Sequence, residues 1–152
     1  DNIDVDLSNY IVVYAYSERI NKIEAEAIQA FAHSKGKKTL SIGVKQSFTD
    51  LYVNVDPFTL LAYIKNADYV ITDTFHGTVF SIKYQIPFAT LIRPSNIEKL
   101  SDLLEKFGLS SRTVNDANNI KDVCTEEIDK LNILKLLKTY RESAITYLKD
   151  NL

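Results

Sequence analysis

The sequence has no methionine, no tryptophan, one cysteine, two histidines, three prolines and four glycines in 152 residues. Each scarcity excludes something. A single cysteine, Cys124, rules out an internal disulfide and any multi-cysteine metal site, and fits a reducing compartment. The few glycines form neither GxGxxG nor GxxxxGK[ST], so both nucleotide fingerprints are missing. A chain without methionine has no start codon of its own, as expected of a piece of a longer polypeptide. No apolar run approaches the ~20 residues needed to cross a bilayer. The acidic opening, Asp1-Asn2-Ile3-Asp4-Val5-Asp6, is not a signal peptide, and a cytoplasmic protein is expected. A net charge of −2 offers no polybasic surface to nucleic acid or membrane. The local run Lys35, Lys37 and Lys38 around Gly36 reads as a solvated turn.

What is present is the balance of a soluble domain, 45% hydrophobic and 25% charged, long enough to bury one core. Short β-rich runs alternate with longer helical ones. Tyr10 to Tyr16 is apolar on both faces, as in a strand buried within a parallel sheet. A helix follows with Ile20, Ile23, Ala27 and Phe31 as its stripe, Asn21 and Glu24 as a capping box and Gly36 as its stop. Thr39–Val44 and Leu51–Val55 read as strands. Asp56 and Pro57 open a second helix with Phe58, Leu61 and Ile64 facing inward. Ala67–Asp73 is a strand, His76–Tyr84 a helix with Val79, Phe80 and Ile82 inside, and Phe88–Ile92 another strand. Ser95 and Glu98 suggest a capping box, with Ile97, Leu100, Leu103, Leu104 and Phe107 as the stripe before Gly108. After a polar loop at Asn115–Asn119 come a short helix around Thr125 and a last helix, about 130–150, carrying Leu134, Leu137, Tyr140, Ala144 and Tyr147. This alternation predicts one Rossmann-like α/β domain over 1–152, a parallel sheet with helices on both faces and right-handed crossovers. The ligand site is expected at the carboxyl ends of the strands.

One stretch fits that position: Asp73-Thr74-Phe75-His76-Gly77-Thr78, where a buried strand ends and a helix begins. A helix start presents unpaired N–H groups and the positive end of the macrodipole to an anion. His76 can meet phosphate as imidazolium or pass a proton. Asp73 could orient its ring, Gly77 could let a ligand close to the backbone, and Thr78 adds a hydroxyl. The competing reading is a capped helix start, with Asp73 or Thr74 as the cap and Gly77 as a packing point. Ser17 and Glu18 also reach the expected ligand edge, though helix entry explains them equally well. His33 complements the end of its helix, and Tyr10, Tyr14, Tyr16 and Tyr84 read as core or rim.

The string from Asn66 to Ile82, with its Ala67-Asp68 opening and Phe75-His76-Gly77 turn, resembles the signature of the polysaccharide pyruvyl transferases. Pro87-Phe88 and the segment Leu103-Leu104 through Phe107-Gly108-Leu109-Ser110-Ser111-Arg112 continue the similarity, which runs from about Asp56 to Val114. The resemblance implies the carboxy-terminal, donor-binding half of a bacterial two-domain enzyme similar to GT-B and sialyltransferase folds. It also implies transfer from phosphoenolpyruvate to sugar hydroxyls as a pyruvate ketal, without cofactor or metal. The acceptor would be held mainly by the absent amino-terminal domain, the last helix could dock on that domain or on this one, and this half alone would be inactive. Work on exopolysaccharide or lipid-linked repeat units at the inner membrane face belongs to the same implication. His76 takes the place of the family histidine, associated with donor binding and proton donation, and Arg112 that of a downstream arginine. Several members carry arginine where Thr74 stands, which leaves the cation for the donor's phosphate and carboxylate open; Arg93, just past a strand, is the expected replacement. Two alternatives remain: a GT-B-like transferase using a nucleotide sugar, and an inactive binding domain.

Overall fold

The computed structural model describes residues 5–151; the first four residues of the acidic opening lie outside this range. Six strands form one parallel sheet: β1 (Tyr10–Tyr14), β2 (Lys38–Ile42), β3 (Leu51–Val53), β4 (Tyr69–Thr72), β5 (Phe88–Leu91) and β6 (Thr113–Val114). Their spatial order is β3-β2-β1-β4-β5-β6. The helices are α1 (Lys22–Lys35), α2 (Pro57–Lys65), α3 (Phe75–Lys83), α4 (Ile97–Lys106), α5 (Ile120–Thr125) and α6 (Lys130–Asn151). Strand side chains alternate between two cores. Tyr10, Val12 and Val70 pack with Ile64, Ile82, Leu104 and Ile133 from α2, α3, α4 and α6, whereas Ile11, Val13 and Ile71 pack with Ile28, Phe31, Ile120 and Cys124 from α1 and α5. Both faces of the sheet are covered, which is why its strands read as continuous apolar runs.

Local chemistry sets most of the boundaries. Asn21 and Glu24 form the reciprocal capping box of α1, and Gly36 closes that helix at φ 64°. Asp56 caps α2 with Pro57 in its first turn. Three predicted details differ. Ile23, Phe58 and Ile97, assigned to apolar stripes, are 67%, 74% and 46% exposed. In α1 the inward position goes instead to Glu24, buried because an ion pair holds it there. Ser95 and Glu98 make no capping box: Asn96 precedes α4 without capping it, since its side chain bonds the amide of Arg93 and the carbonyl of Asp73. In α3 the fully buried residues are Gly77, Thr78, Ser81 and Ile82, with Val79 and Phe80 only half-buried. The start of α6 docks on this domain: Ile133 is buried, and Tyr140 packs edge-on against Phe107. The side chains of Ala144 and Tyr147 lie outside the described ones. Among the described residues no helix is long and apolar enough to cross a membrane.

Candidate functional site

The strand order reverses beside β1: the chain passes from β1 through α1 to β2 on one side, and returns through α2 to β4 on the other. Such a reversal leaves a crevice above the carboxyl ends of the two central strands. Thr72 closes its floor, its hydroxyl donating to the Tyr14 carbonyl at 2.6 Å. Thr74 then caps α3, accepting the Gly77 amide at 2.8 Å, while its own amide donates to Thr72 Oγ1 at 3.0 Å. The two hydroxyls are 2.9 Å apart.

This packing decides between the two readings of Gly77 and Thr78. A Cβ on Gly77 would overlap the Thr72 hydroxyl and stand 2.8 Å from Thr74 Oγ1, so glycine is required by the strand end rather than by an approaching ligand. Thr78 is fully buried, its hydroxyl donating to the Thr74 carbonyl at 2.9 Å and meeting Thr90 at 3.1 Å. The expected ligand donor is thus committed within the protein. What stays open is the first turn: helix geometry leaves the amides of Phe75 and His76 without a carbonyl one turn earlier. His76 is exposed, and beside it lies a recess of about 120 Å³ lined chiefly by Tyr14, Tyr16, Gly43, Val44 and Thr74.

Asp73 does not orient His76. It is 2% exposed and turned toward β1, where Oδ1 accepts the Tyr16 amide at 3.3 Å and Oδ2 stands 3.7 Å from Arg93 Nε. Burial dominates and pushes its carboxyl above the ordinary range, against the opposing pull of the Tyr16 amide and Arg93. Arg93, the expected anion clamp, is largely buried and committed to protein partners. Its guanidinium grips Glu24 at 2.6 and 2.9 Å and donates to the Arg19 carbonyl at 3.0 Å. Hydrogen bonding to Glu24, outweighing burial, holds Arg93 more firmly protonated than usual. Its charge is already matched.

Arg112 is not brought to the site at all. It immediately precedes β6, the edge strand separated from β4 by β5, and is 1% exposed. Its guanidinium lies 5.5 Å from the centre of the Phe88 ring, and Nη1 donates to the Glu126 carbonyl at 2.8 Å. Burial lowers its pKa and pushes the neighbouring Cys124 thiol up to about 12, leaving that thiol inert.

Two cations close to these elements were not singled out from sequence. Arg19 is exposed, 5.6 Å from the centre of the Tyr16 ring, and donates to Ser95 Oγ at 3.1 Å. Lys99 places its ammonium 4.4 Å from the centre of the Phe75 ring, beside the start of α3. Neither has an ion-pair partner among the described residues. Arg19 was within reach of sequence reasoning, since it follows β1 by a few residues; Lys99 sits in the first turn of α4 and only folding shows what it faces.

A family model described as polysaccharide pyruvyl transferase matches residues 2–96, the stretch that holds β1 through β5 and the whole turn around His76. The chain belongs to the polysaccharide pyruvyl transferase family. Arg112 falls beyond the matched residues of this family member. The chain is also 30% identical over 144 residues to the tRNA modification GTPase MnmE of Mycoplasma mycoides subsp. mycoides SC, covering 88% of this chain and 30% of that protein. A GTPase of the P-loop type needs the phosphate-cradling GxxxxGK[ST] loop, which this sequence lacks. Among solved structures, the glycosyltransferase SnogD from Streptomyces nogalater is similar at a TM-score of 0.46 and 14% identity, over 85% of this chain and 38% of that one. The chain thus spans about a third of the length of these two proteins.

Proposed function

We propose that this domain binds phosphoenolpyruvate for transfer of its three-carbon unit to sugar hydroxyls, forming a pyruvate ketal. The observation that carries the proposal is the first turn of α3. It combines two helix-start amides and an exposed His76 at the sheet's switch point, with Lys99 over the neighbouring Phe75 ring and Arg19 beside Tyr16, neither ion-paired among the described residues. Family membership supports a transferase acting on polysaccharide. The recess beside His76, about 120 Å³, suits a group of a few heavy atoms and falls short of the ~300–1,000 Å³ common for larger ligands.

In this reading the phosphate rests on the α3 amides, with Arg19 and Lys99 balancing phosphate and carboxylate. His76 protonates the methylene carbon, which makes C2 electrophilic. One acceptor hydroxyl adds to C2; a second displaces phosphate and closes the ketal, each losing its proton to a base. That base and the acceptor's binding groups belong to the remainder of a two-domain enzyme, because catalysis needs both reactants held at near-attack distance. The 152 residues alone should therefore bind donor weakly and turn nothing over. Calorimetry on the full-length protein tests the reading. Phosphoenolpyruvate should give a signal that His76→Ala abolishes, while nucleotide sugars give none. Tighter binding of a nucleotide sugar would replace the donor and leave the site in place.

A further inference from the structure

The loop joining β1 to α1, which carries Tyr16 and Arg19, is held in a shape it would not adopt alone. Glu18 takes a left-handed backbone at φ 60°, an uncommon conformation for a residue other than glycine and one that persists only where the surroundings enforce it. The enforcing contacts come from three neighbouring segments. Gln46 donates to the Ala15 carbonyl at 3.2 Å, Asp73 accepts the Tyr16 amide, and Arg93 donates to the Arg19 carbonyl at 3.0 Å. Arg93 joins these segments. It stands in the β5–α4 connection, faces Asp73 at the end of β4, and grips Glu24 in the first turn of α1. The capping box needs one oxygen of Glu24, and Oε1 does accept the Asn21 amide at 3.1 Å. The same oxygen also receives Arg93 Nη2, and Oε2 receives Nη1 at 2.6 Å, so the helix start and the loop are tied to one guanidinium.

We propose that Arg93 is a positioning residue: through Glu24 and the Arg19 carbonyl it locks the β1–α1 loop, and with it Tyr16, which lines the recess beside His76. As a role in donor binding, this rests on the proposed function above. The planar fork is essential, since a lysine carries its charge on one nitrogen and cannot make the two parallel bonds to the Glu24 carboxylate while reaching the Arg19 carbonyl. The rival assignment makes Arg93 a direct ligand of the donor. The two assignments predict opposite signs for Glu24→Gln. Glutamine preserves the capping box but neutralises the partner of Arg93. If Arg93 is a ligand, freeing it tightens anion binding; if it is a positioning residue, loosening it weakens anion binding.

The experiment uses the full-length protein with phosphoenolpyruvate and inorganic phosphate as probes. Glu24→Gln and Arg93→Lys should each raise KM for phosphoenolpyruvate by about tenfold with a smaller change in kcat. The double variant should be no worse than the worse single one, because both act through one contact. Amide exchange in residues 16–21 should speed up about tenfold in both variants while exchange in β1 and β4 stays slow. Tighter phosphate or phosphoenolpyruvate binding by Glu24→Gln would overturn the proposal in favour of a direct ligand. A fall in Tm with faster exchange throughout the sheet and unchanged KM would reduce Arg93 to a structural residue. The exchange measurement does not depend on the donor. If the native protein ignores phosphoenolpyruvate the functional reading fails, whereas an unaltered loop in Arg93→Lys sinks the positioning role whatever the donor is.

Discussion

Arg93 and Arg112 are both largely enclosed, yet their surroundings pull them in opposite directions. At the carboxyl edge Arg93 is surrounded by Glu24, Asp73 and a loop carbonyl, and is held more firmly charged. Beside the edge strand β6, Arg112 has an aromatic ring, a thiol, a carbonyl and one exposed carboxylate, Glu126, 3.9 Å away, with Nε and Nη2 unpartnered; burial makes its charge less favourable. The first organises a site and the second fills an interior. A charge placed to hold loops is one whose removal leaves other charges stranded, and that property can be measured.

The largest contrast is expected from replacing each arginine by methionine. Arg93→Met should cost roughly 3–5 kcal/mol, because the buried carboxylates Glu24 and Asp73 lose their cation. Arg112→Met should change stability by about 1 kcal/mol or less, since an apolar side chain of similar length relieves unpartnered donors. Urea denaturation of both variants checks this, and equal losses would end the distinction.

The two histidines extend the comparison to turnover. In the full-length enzyme His76→Ala should lose about 100-fold in kcat. His33→Ala, near the far end of α1 and away from the crevice, should stay within about twofold. Similar, small losses would return His76 to a surface role.

Gly77→Ala sharpens the picture of the carboxyl edge by testing its packing. The added methyl meets the Thr72 and Thr74 hydroxyls, and a loss of about 1–3 kcal/mol is expected. Gly36→Ala is a poor control, because its backbone is left-handed; Ser34→Ala, on an exposed helix turn, is better and should lose less.

The smallest effect is a pair of opposed pH slopes. Asp73 has its pKa raised in the fold by burial, so relative to Asp73→Asn the native protein gains stability as pH falls and loses it as pH rises through the folded value. Asp50 has its pKa lowered, chiefly by the Thr39 amide, so relative to Asp50→Asn the native protein is favoured at neutral pH and loses that advantage as pH falls below the ordinary 3.8. Thermal melts between about pH 3 and 7 should show the two differences moving in opposite directions.

Much of the fold was legible because its signals are local or periodic. The continuous apolar strands, the Asn21–Glu24 box, Asp56-Pro57 and the turn at His76 all appear where the sequence points. The two-residue β6 was not, being too short to carry a pattern. Side-chain commitments were the least legible part. Arg93 follows a strand, as a ligand-binding arginine would, and only the fold brings Glu24 from α1 against it. Thr78 sits at a helix start like a free donor, and only the neighbouring strand supplies Thr90. Long-range partners decide whether a polar side chain is available, and no spacing rule encodes them.

The threonine cluster under α3 has a directional consequence. Each hydroxyl has a single proton. Thr72 gives its proton to the Tyr14 carbonyl, so across the Thr72–Thr74 contact Thr74 must be the donor. Thr74 in turn accepts from the Gly77 amide. Thr78 spends its proton on the Thr74 carbonyl, which obliges Thr90 to donate to Thr78. The rotors are therefore fixed in one sense, and the chain from the Gly77 amide through Thr74 and Thr72 to Tyr14 polarises each bond in the direction of the next. Serine could keep that order at any of these positions. Valine, nearly the same shape, would interrupt it and leave the start of α3 without its anchor on the central strand.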